Sequence, residues 1–431
     1  MAATLAGLLW GADPQGPGDA VLDALGCAIA VRYARNNWRT SAIIGGASGA
    51  VAGIGCMRWV PDAWGRYSSD GPLSQLLSLA LMAGLFAAPM AITWSLAAHA
   101  KRLGASPALA WGSSAFLTDL LSARFHPLPW GVGHSSIEIP FLVLPFSVHG
   151  AALADGFVWG LASLFVYAPR LAVPCLGLWI LGGQISLSWV DPGPSMTVAF
   201  VQPNTGAFDG RRSSSASDRA TKLLSLSRGA AVAGAQLVVT PESAWPHDAG
   251  EKDDHRRDRL TAAWSEIPYA LVGVAGARSN RVLVLHHGTT TAEFEKRALL
   301  PIAERRWLGW GKAQFESGQA PRVVDVGGLP IGIAICYEDL LPPVAAEFEE
   351  VALIAVTTND AWLGPRGANF HLRYARILAA TTRRWVVRAA ANGPSAFIDP
   401  AGRLHQALPW IEADQTPTDG QWALRQWPVP P

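Results

Sequence analysis

Residues 1–190 carry a succession of apolar runs too numerous for one soluble core, and this restricts the first half of the chain to a lipid bilayer. The clearest runs are 41–57, 73–100, 107–123 and 171–190, together with 136–154 and 155–168, which read as two spans or one bent span. A crossing helix needs about 20 predominantly apolar residues. The runs 3–12 and 20–31 are shorter, and the second contains Asp23. Gly, Ala and Ser are frequent throughout, as expected where helices approach closely inside a membrane. About seven spans are expected. A cleaved leader before a soluble domain is the rival, but a leader has one short apolar run.

Basic residues orient this half. Arg32, Arg35 and Arg39 share one connection, Lys101 and Arg102 a second, and Arg170 marks a third. Placing these three on the cytoplasmic side satisfies the positive-inside rule. The alternate connections carry Arg58, Arg66 and Arg124, the first two offset by Asp62 and Asp70. The last span then exits near Val190 on the extracytoplasmic face, which in a bacterium is the periplasmic side of the inner membrane.

Beyond the linker 191–194 the texture changes. Residues 1–190 hold 9 Lys+Arg and 8 Asp+Glu, leaving 25 of each for the remainder. Short β-rich runs at 196–202, 236–240, 269–275, 281–286, 329–335, 351–357, 385–390 and 394–398 alternate with helix-like stretches near 216–233, 253–266, 340–349 and 368–384. Such alternation predicts an α/β domain over 195–431. The stretch 203–218, rich in Gly, Ser, Asp and Asn, reads as an exposed loop. The expected architecture is therefore an α-helical transmembrane bundle followed by an α/β domain.

Composition excludes some partners. A net charge of +1 without a basic patch does not favour nucleic acid. Cys27, Cys56 and Cys175 lie in apolar runs, and Cys336 is alone in the polar half. With no CxxC or Cys/His cluster, no metal or cofactor site is expected.

Three positions put reactive side chains at or just beyond a strand end, where a scaffold fixes them and a loop exposes them. LVVTPESAWP places Glu242 after a strand; EFEKRALLPIAER carries Lys296 and, eight residues on, Glu304; LPIGIAICYEDLLP ends a strand at Cys336, before a helix predicted to start near Leu340. A nucleophile at a strand-to-helix turn can use backbone N–H groups as an oxyanion hole. Taken singly, each residue also has an ordinary reading. Cys336 suits a core, Glu242 a helix N-terminal charge and Lys296 a solvated face. Asn359, Asp360 and Trp362, at another strand end, either line a pocket mouth or form an Asx turn. His134 and His371 read as packing or hydrogen-bonding residues. Nineteen tryptophans fit bilayer interfaces and core.

The order of these contexts resembles the carbon–nitrogen hydrolase (nitrilase) superfamily. The resemblance is carried by PE after a strand, a lysine, ICYED, TTNDAWLG, and then HLRYARILAATTRRWVVRAAANGPSAFIDPAGR. With the multi-span first half, and with LPWGVGHS at 128–135 similar to a periplasmic Phe-Pro-Trp loop, the chain most resembles the apolipoprotein N-acyltransferases. That resemblance implies a four-layer α-β-β-α sandwich and a Glu242–Lys296–Cys336 triad. In it Glu242 is the general base, Cys336 the nucleophile that forms a thioester, and Lys296 with the Tyr337 N–H the oxyanion partner. It further implies accessory roles for Glu304 and Glu338 in orienting Lys296 and the site loops. Tyr337 matches the aromatic that follows the cysteine. A membrane phospholipid is implied as acyl donor and the amine of a lipid-modified lipoprotein cysteine as acceptor.

The sequence departs from that pattern at several points. Phe294-Glu295-Lys296 stands for Tyr-Asp-Lys, and Pro301-Ile302-Ala303-Glu304 for Pro-Phe-Gly-Glu. An expected tryptophan is replaced near Arg211, a helix glutamate falls at Thr381, and the tail after Gly420 is too short to span. The divergence resembles the TraB-type proteins encoded with plasmid conjugation genes. Two rival expectations follow: a membrane-anchored amidase using the same triad, and a non-catalytic envelope component of a conjugation apparatus.

Overall fold

A computed structural model describes residues 1–12, 16–34, 36–67, 71–188, 193–205, 216–245, 255–276, 278–306, 315–411 and 420–427. Most of the 203–218 stretch, including Arg211, lies outside the described residues. The chain divides into two units, 1–190 and 191–431.

The apolar runs of the first unit all become helical: α1 (Ala2–Trp10), α2 (Pro17–Tyr33), α3 (Trp38–Cys56), α4 (Val60–Tyr67), α5 (Pro72–Arg102), α6 (Pro107–Phe125), α7 (Leu144–Tyr167) and α8 (Pro169–Ser188). Side-chain and proline signals set their starts. Asn37 accepts the N–H groups of Arg39 and Thr40, Ser106 accepts that of Leu109, and proline opens α2, α5 and α6. Among the described residues, α5, α7 and α8 are long and apolar enough to cross a membrane, and a fourth span is obtained if α3 and α4, bent by 50°, count as one. Of the remaining runs, α1 and α2 are shorter and α6 carries Asp119 and Arg124. The bend expected between 136 and 168 falls inside α7, at His149 and Gly150, after 3-10 turns at Val132–Glu138 and Pro140–Leu142.

Small residues set the helix spacing. A Cβ at Gly49 would lie 2.4 Å from the Phe86 carbonyl, so the backbones of α3 and α5 meet this closely only because glycine is there. Several polar groups buried in this unit are paired. Gly131 N–H donates to His134 Nδ1 at 3.2 Å, which leaves Nε2 as the donor to Asp119 Oδ2 at 2.9 Å. The Gly133 N–H donates to Asp155 Oδ1 at 2.7 Å, so the 128–135 loop is tied to both α6 and α7.

The second unit runs β1 (Val198–Gln202), α9 (Ala216–Val232), β2 (Leu237–Val239), α10 (His255–Ala263), β3 (Tyr269–Ala275), β4 (Asn280–His286), β5 (Thr289–Glu295), β6 (Val323–Val326), β7 (Leu329–Ile335), α11 (Pro342–Ala345), β8 (Leu353–Thr358), α12 (Gly364–Thr382), β9 (Val386–Ala390), β10 (Ser395–Ile398), β11 (Leu404–Leu408) and β12 (Gln421–Arg425). Two six-stranded sheets result, ordered β12-β1-β2-β3-β4-β5 and β11-β10-β9-β8-β7-β6. In each, a parallel trio (β1-β2-β3 and β7-β8-β9) is flanked by antiparallel strands.

Strand periodicity builds the layers. Val198 and Phe200 point between the sheets with Ile331, Ile333, Ile335, Leu353 and Val387. Their alternates Ala199 and Val201 pack under α9 and α10 with Leu223, Leu260 and Trp264. On the other side Ala334, Ile354 and Val356 pack against Leu372, Ala375 and Leu378 of α12. The layers are thus α-β-β-α. The helix expected over 340–349 is instead a 3-10 turn at Cys336–Leu340, the single turn α11 and a further 3-10 turn. Pro342 and Pro343 lack the N–H groups a continuing helix needs. The 421–425 segment is a strand paired with β1.

Candidate active site

Glu242, Lys296 and Cys336 each follow a strand: Glu242 by three residues after β2, Lys296 directly after β5 and Cys336 directly after β7. Gly273 in β3 makes room for the first of these, since a Cβ there would sit 2.0 Å from the Pro241 carbonyl. Lys296 continues the β5 ladder through its N–H to the Asn280 carbonyl at 2.8 Å.

The three side chains are buried, with exposures of 7% for Glu242, 1% for Lys296 and 6% for Cys336. Lys296 Nζ donates to Glu242 Oε1 at 3.2 Å and to Glu304 Oε1 at 2.7 Å. Glu304 is itself held by the Leu300 N–H at 2.6 Å. Glu242 receives two further donors, Asn280 Nδ2 on Oε1 at 2.5 Å and the Asn359 N–H on Oε2 at 3.0 Å. Its oxygens are therefore aimed by three strand ends at once. Burial opposes the Lys296 ammonium, but Glu242 and then Glu304 outweigh it and hold the amine protonated well above its usual range.

Cys336 has φ +50°, a left-handed conformation that side chains rarely adopt, at a sharp turn from strand to 3-10 helix. Burial, and then the Glu242 carboxylate, push its thiol well above the ordinary range, while Lys296 pulls the other way. The resting sulfur is a neutral thiol, so its attack on a carbonyl requires a base acting in the same step. Tyr337 is buried and pushed up to about 12 by that burial, against the opposing charges of Arg305 and Lys296.

Glu338, fully buried, accepts from Ile335 N–H, from the N–H groups of Arg297 and Ala298, and from Arg322 Nη1 at 2.5 Å. One carboxylate thus joins the cysteine turn to the two residues that follow Lys296. The Asn359 side chain accepts from Ala361 N–H as an Asx turn, while its own N–H faces Glu242; Trp362 is half-buried. Asp360 is fully buried and its oxygens accept from Thr358, His371 and Arg388; the attraction of Arg388 and His371 outweighs the cost of burial and holds it well below the usual carboxylate range. Asn280 and Arg388 had no signal in the sequence, since an amide opening a strand and an arginine inside one look ordinary.

Cys336 Sγ, an Asp360 oxygen and a His371 ring nitrogen lie within 4.8 Å of one another, a trio whose residue types could suit zinc. The donors argue otherwise. Both His371 nitrogens face carboxylate oxygens, Nδ1 to Asp360 at 2.7 Å and Nε2 to Asp339 at 2.8 Å, so both carry protons and neither offers a lone pair.

The carbon-nitrogen hydrolase family profile matches residues 197–416, half of the chain. The chain belongs to the carbon-nitrogen hydrolase family. It is similar to apolipoprotein N-acyltransferases from Azotobacter vinelandii (29% identical, covering 83% of this chain and 78% of that one) and Allorhizobium ampelinum (26%, 77% and 69%). An amidase from Nesterenkonia sp. aligns at 18% identity with a TM-score of 0.40, over 55% of this chain and 91% of that chain. The acyltransferase likenesses extend through both units, since each covers more than three quarters of the chain.

Proposed function

We propose that this chain is a membrane N-acyltransferase that carries its acyl group as a thioester on Cys336. The single observation that carries the reading is a buried thiol at a strained turn beyond β7, in the same unit as the buried Glu242–Lys296 ion pair. The likeness to apolipoprotein N-acyltransferases over both units supports it further.

In the first half-reaction Cys336 Sγ bonds to the ester carbonyl carbon of a phospholipid while its proton passes to Glu242. The tetrahedral oxyanion is met by Lys296 and the Tyr337 N–H, a task worth about 3–4 kcal/mol per donor. Collapse expels the glycerol oxygen, which takes the proton from Glu242, leaving an acyl thioester and a lysophospholipid. An amine, that of a lipid-modified cysteine on a lipoprotein, then attacks the thioester and gives its proton to Glu242. The sulfur leaves and recovers that proton, and an amide is formed. Glu304 and Glu338 hold Lys296 and its loop in register throughout.

Both substrates are anchored in lipid, which favours a site tethered to a bilayer. We place about seven spans in residues 1–190, in the bacterial inner membrane, with the second unit on the periplasmic side, on the distribution of Arg32, Arg35, Arg39, Lys101, Arg102 and Arg170.

Hydrolysis is the second reading, favoured by the family to which the chain belongs. One assay separates the two. The purified full-length protein is incubated with phospholipid and a diacylglyceryl-cysteinyl peptide, and products are followed by mass spectrometry. N-acylated peptide with stoichiometric lysophospholipid supports transfer. Release of ammonia from small amides, with no acylated peptide, supports an amidase. Neither product from folded protein leaves the fold without its chemistry.

A further inference from the structure

Beneath the thiol lies a closed set of charges that the triad does not use. His371, on α12 and 4% exposed, bridges Asp339 and Asp360, both 4% exposed or less. Asp339 belongs to the 3-10 turn that begins with Cys336. Asp360 follows Asn359, whose N–H reaches Glu242. Asp360 also pairs with Arg388 of β9, itself fully buried. His371 therefore ties the turn bearing the sulfur to the loop that aims the base. Among the described residues Asp339 Oδ2 has no hydrogen-bond partner, and the carboxylate is held through His371 at Oδ1.

The charges balance: Asp339 and Asp360 against His371 and Arg388. A His371 ring nitrogen and an Asp360 oxygen lie within 4.8 Å of Cys336 Sγ. Glu242, Glu304 and Asp360 oppose a negative charge on that sulfur, and Lys296 favours it. Removing the imidazolium charge adds one uncompensated negative charge to the opposing side.

We propose that His371 is a positioning residue for the nucleophile: its imidazolium clamps the Cys336 turn to the Asn359 loop and cancels carboxylate charge that otherwise disfavours the thiolate. The inference rests on Cys336 being the reactive sulfur, and its test reads the thiol itself without any acyl substrate.

The test measures the rate at which iodoacetamide alkylates Cys336 at pH 8 in the full chain, by peptide mass spectrometry. In His371→Gln the rate falls about tenfold or more, as a lost opposite charge at this range moves a group by one to three pH units. In the double variant His371→Gln with Asp339→Asn, charge balance returns and the rate recovers to within about threefold of the parent. An unchanged rate in the single variant, or a double variant as slow as the single, overturns the proposal. If His371→Gln does not fold, Asp339→Asn alone decides: it leaves one extra positive charge, so alkylation at least as fast as the parent supports the proposal and slower alkylation overturns it. Acyl transfer that survives Cys336→Ala would remove the Cys336 thioester from the proposed function without altering these rates.

Discussion

The Lys296 ammonium lies 3.2 Å from Glu242 Oε1, with both side chains more than nine-tenths buried. Glu304 takes a second proton of the same ammonium at 2.7 Å. One cation thus serves two carboxylates, and the site is strongly coupled. Removing the cation leaves two carboxylates unpaired, whereas removing one carboxylate charge leaves a matched pair.

Lys296→Met is therefore expected to remove the oxyanion partner and leave Glu242 and Glu304 facing each other without a cation. Transfer should fall by about 100-fold or more, the usual cost of a lost oxyanion donor. Glu242→Gln keeps the shape but cannot accept the thiol proton, and should be as inactive while melting within a few degrees of the parent. Rates and thermal melts of the two variants check both statements.

Glu338→Ala should act on folding first. It strips Arg322 of a 2.5 Å partner and leaves the N–H groups of Arg297, Ala298 and the buried Ile335 without this acceptor. Breaking a buried pair in this way costs about 3–5 kcal/mol. Limited proteolysis should then cut between Lys296 and the 315–322 segment well before it cuts the parent.

Stability should vary with pH in a direction fixed by His371 and Asp360. Burial opposes the His371 proton, but Asp339 and Asp360 outweigh it and raise the group from 6.5 to about 10. A raised group contributes stability that is fully present below its unfolded value and is lost as pH rises through its folded value. This contribution is therefore complete below about 6.5 and declines towards pH 10. Asp360 is depressed, so its share is present above the unfolded value near 3.8 and is lost as pH falls well below that. Melting temperature against pH should fall between pH 7 and 10, and His371→Gln should flatten that alkaline limb.

In the first unit, Gly49→Leu should separate α3 from α5, because even a Cβ there meets the Phe86 carbonyl at 2.4 Å. Overpacking of this kind costs about 1–3 kcal/mol. His134→Ala removes the hydrogen bonds to Asp119 and from the Gly131 N–H, at about 0.6–1.7 kcal/mol each as for other interhelical pairs in lipid. Unfolding in mixed micelles should show both losses.

The strands that were legible in the sequence are those with apolar runs, β1–β4 and β7–β10. The others are edge or near-edge strands whose exposed faces break the pattern. β5 reads TTTAEFE with only Phe294 fully buried, β6 alternates exposed and buried, and β11 and β12 mix His, Gln and Arg with apolar residues. Cys336 and Glu242 carried local signals as side chains at or beyond strand ends. Lys296 carried a weaker one, because the strand before it was not legible and its neighbours 293–297 look like an ordinary mixed-charge run. The Asp339–His371–Asp360 bridge was hidden for another reason. Its members are 32 and 11 residues apart, and only the packing of α12 over the second sheet joins them.

The central claim is tested most directly by trapping the acyl-enzyme. Full-length protein is mixed with phospholipid labelled in its acyl chains, quenched in acid without an amine acceptor, and digested for mass spectrometry. One acyl group is expected on the Cys336 peptide, released by neutral hydroxylamine and absent from Cys336→Ala. An unmodified Cys336 in protein shown to be folded, or transfer that continues in Cys336→Ala, would contradict it.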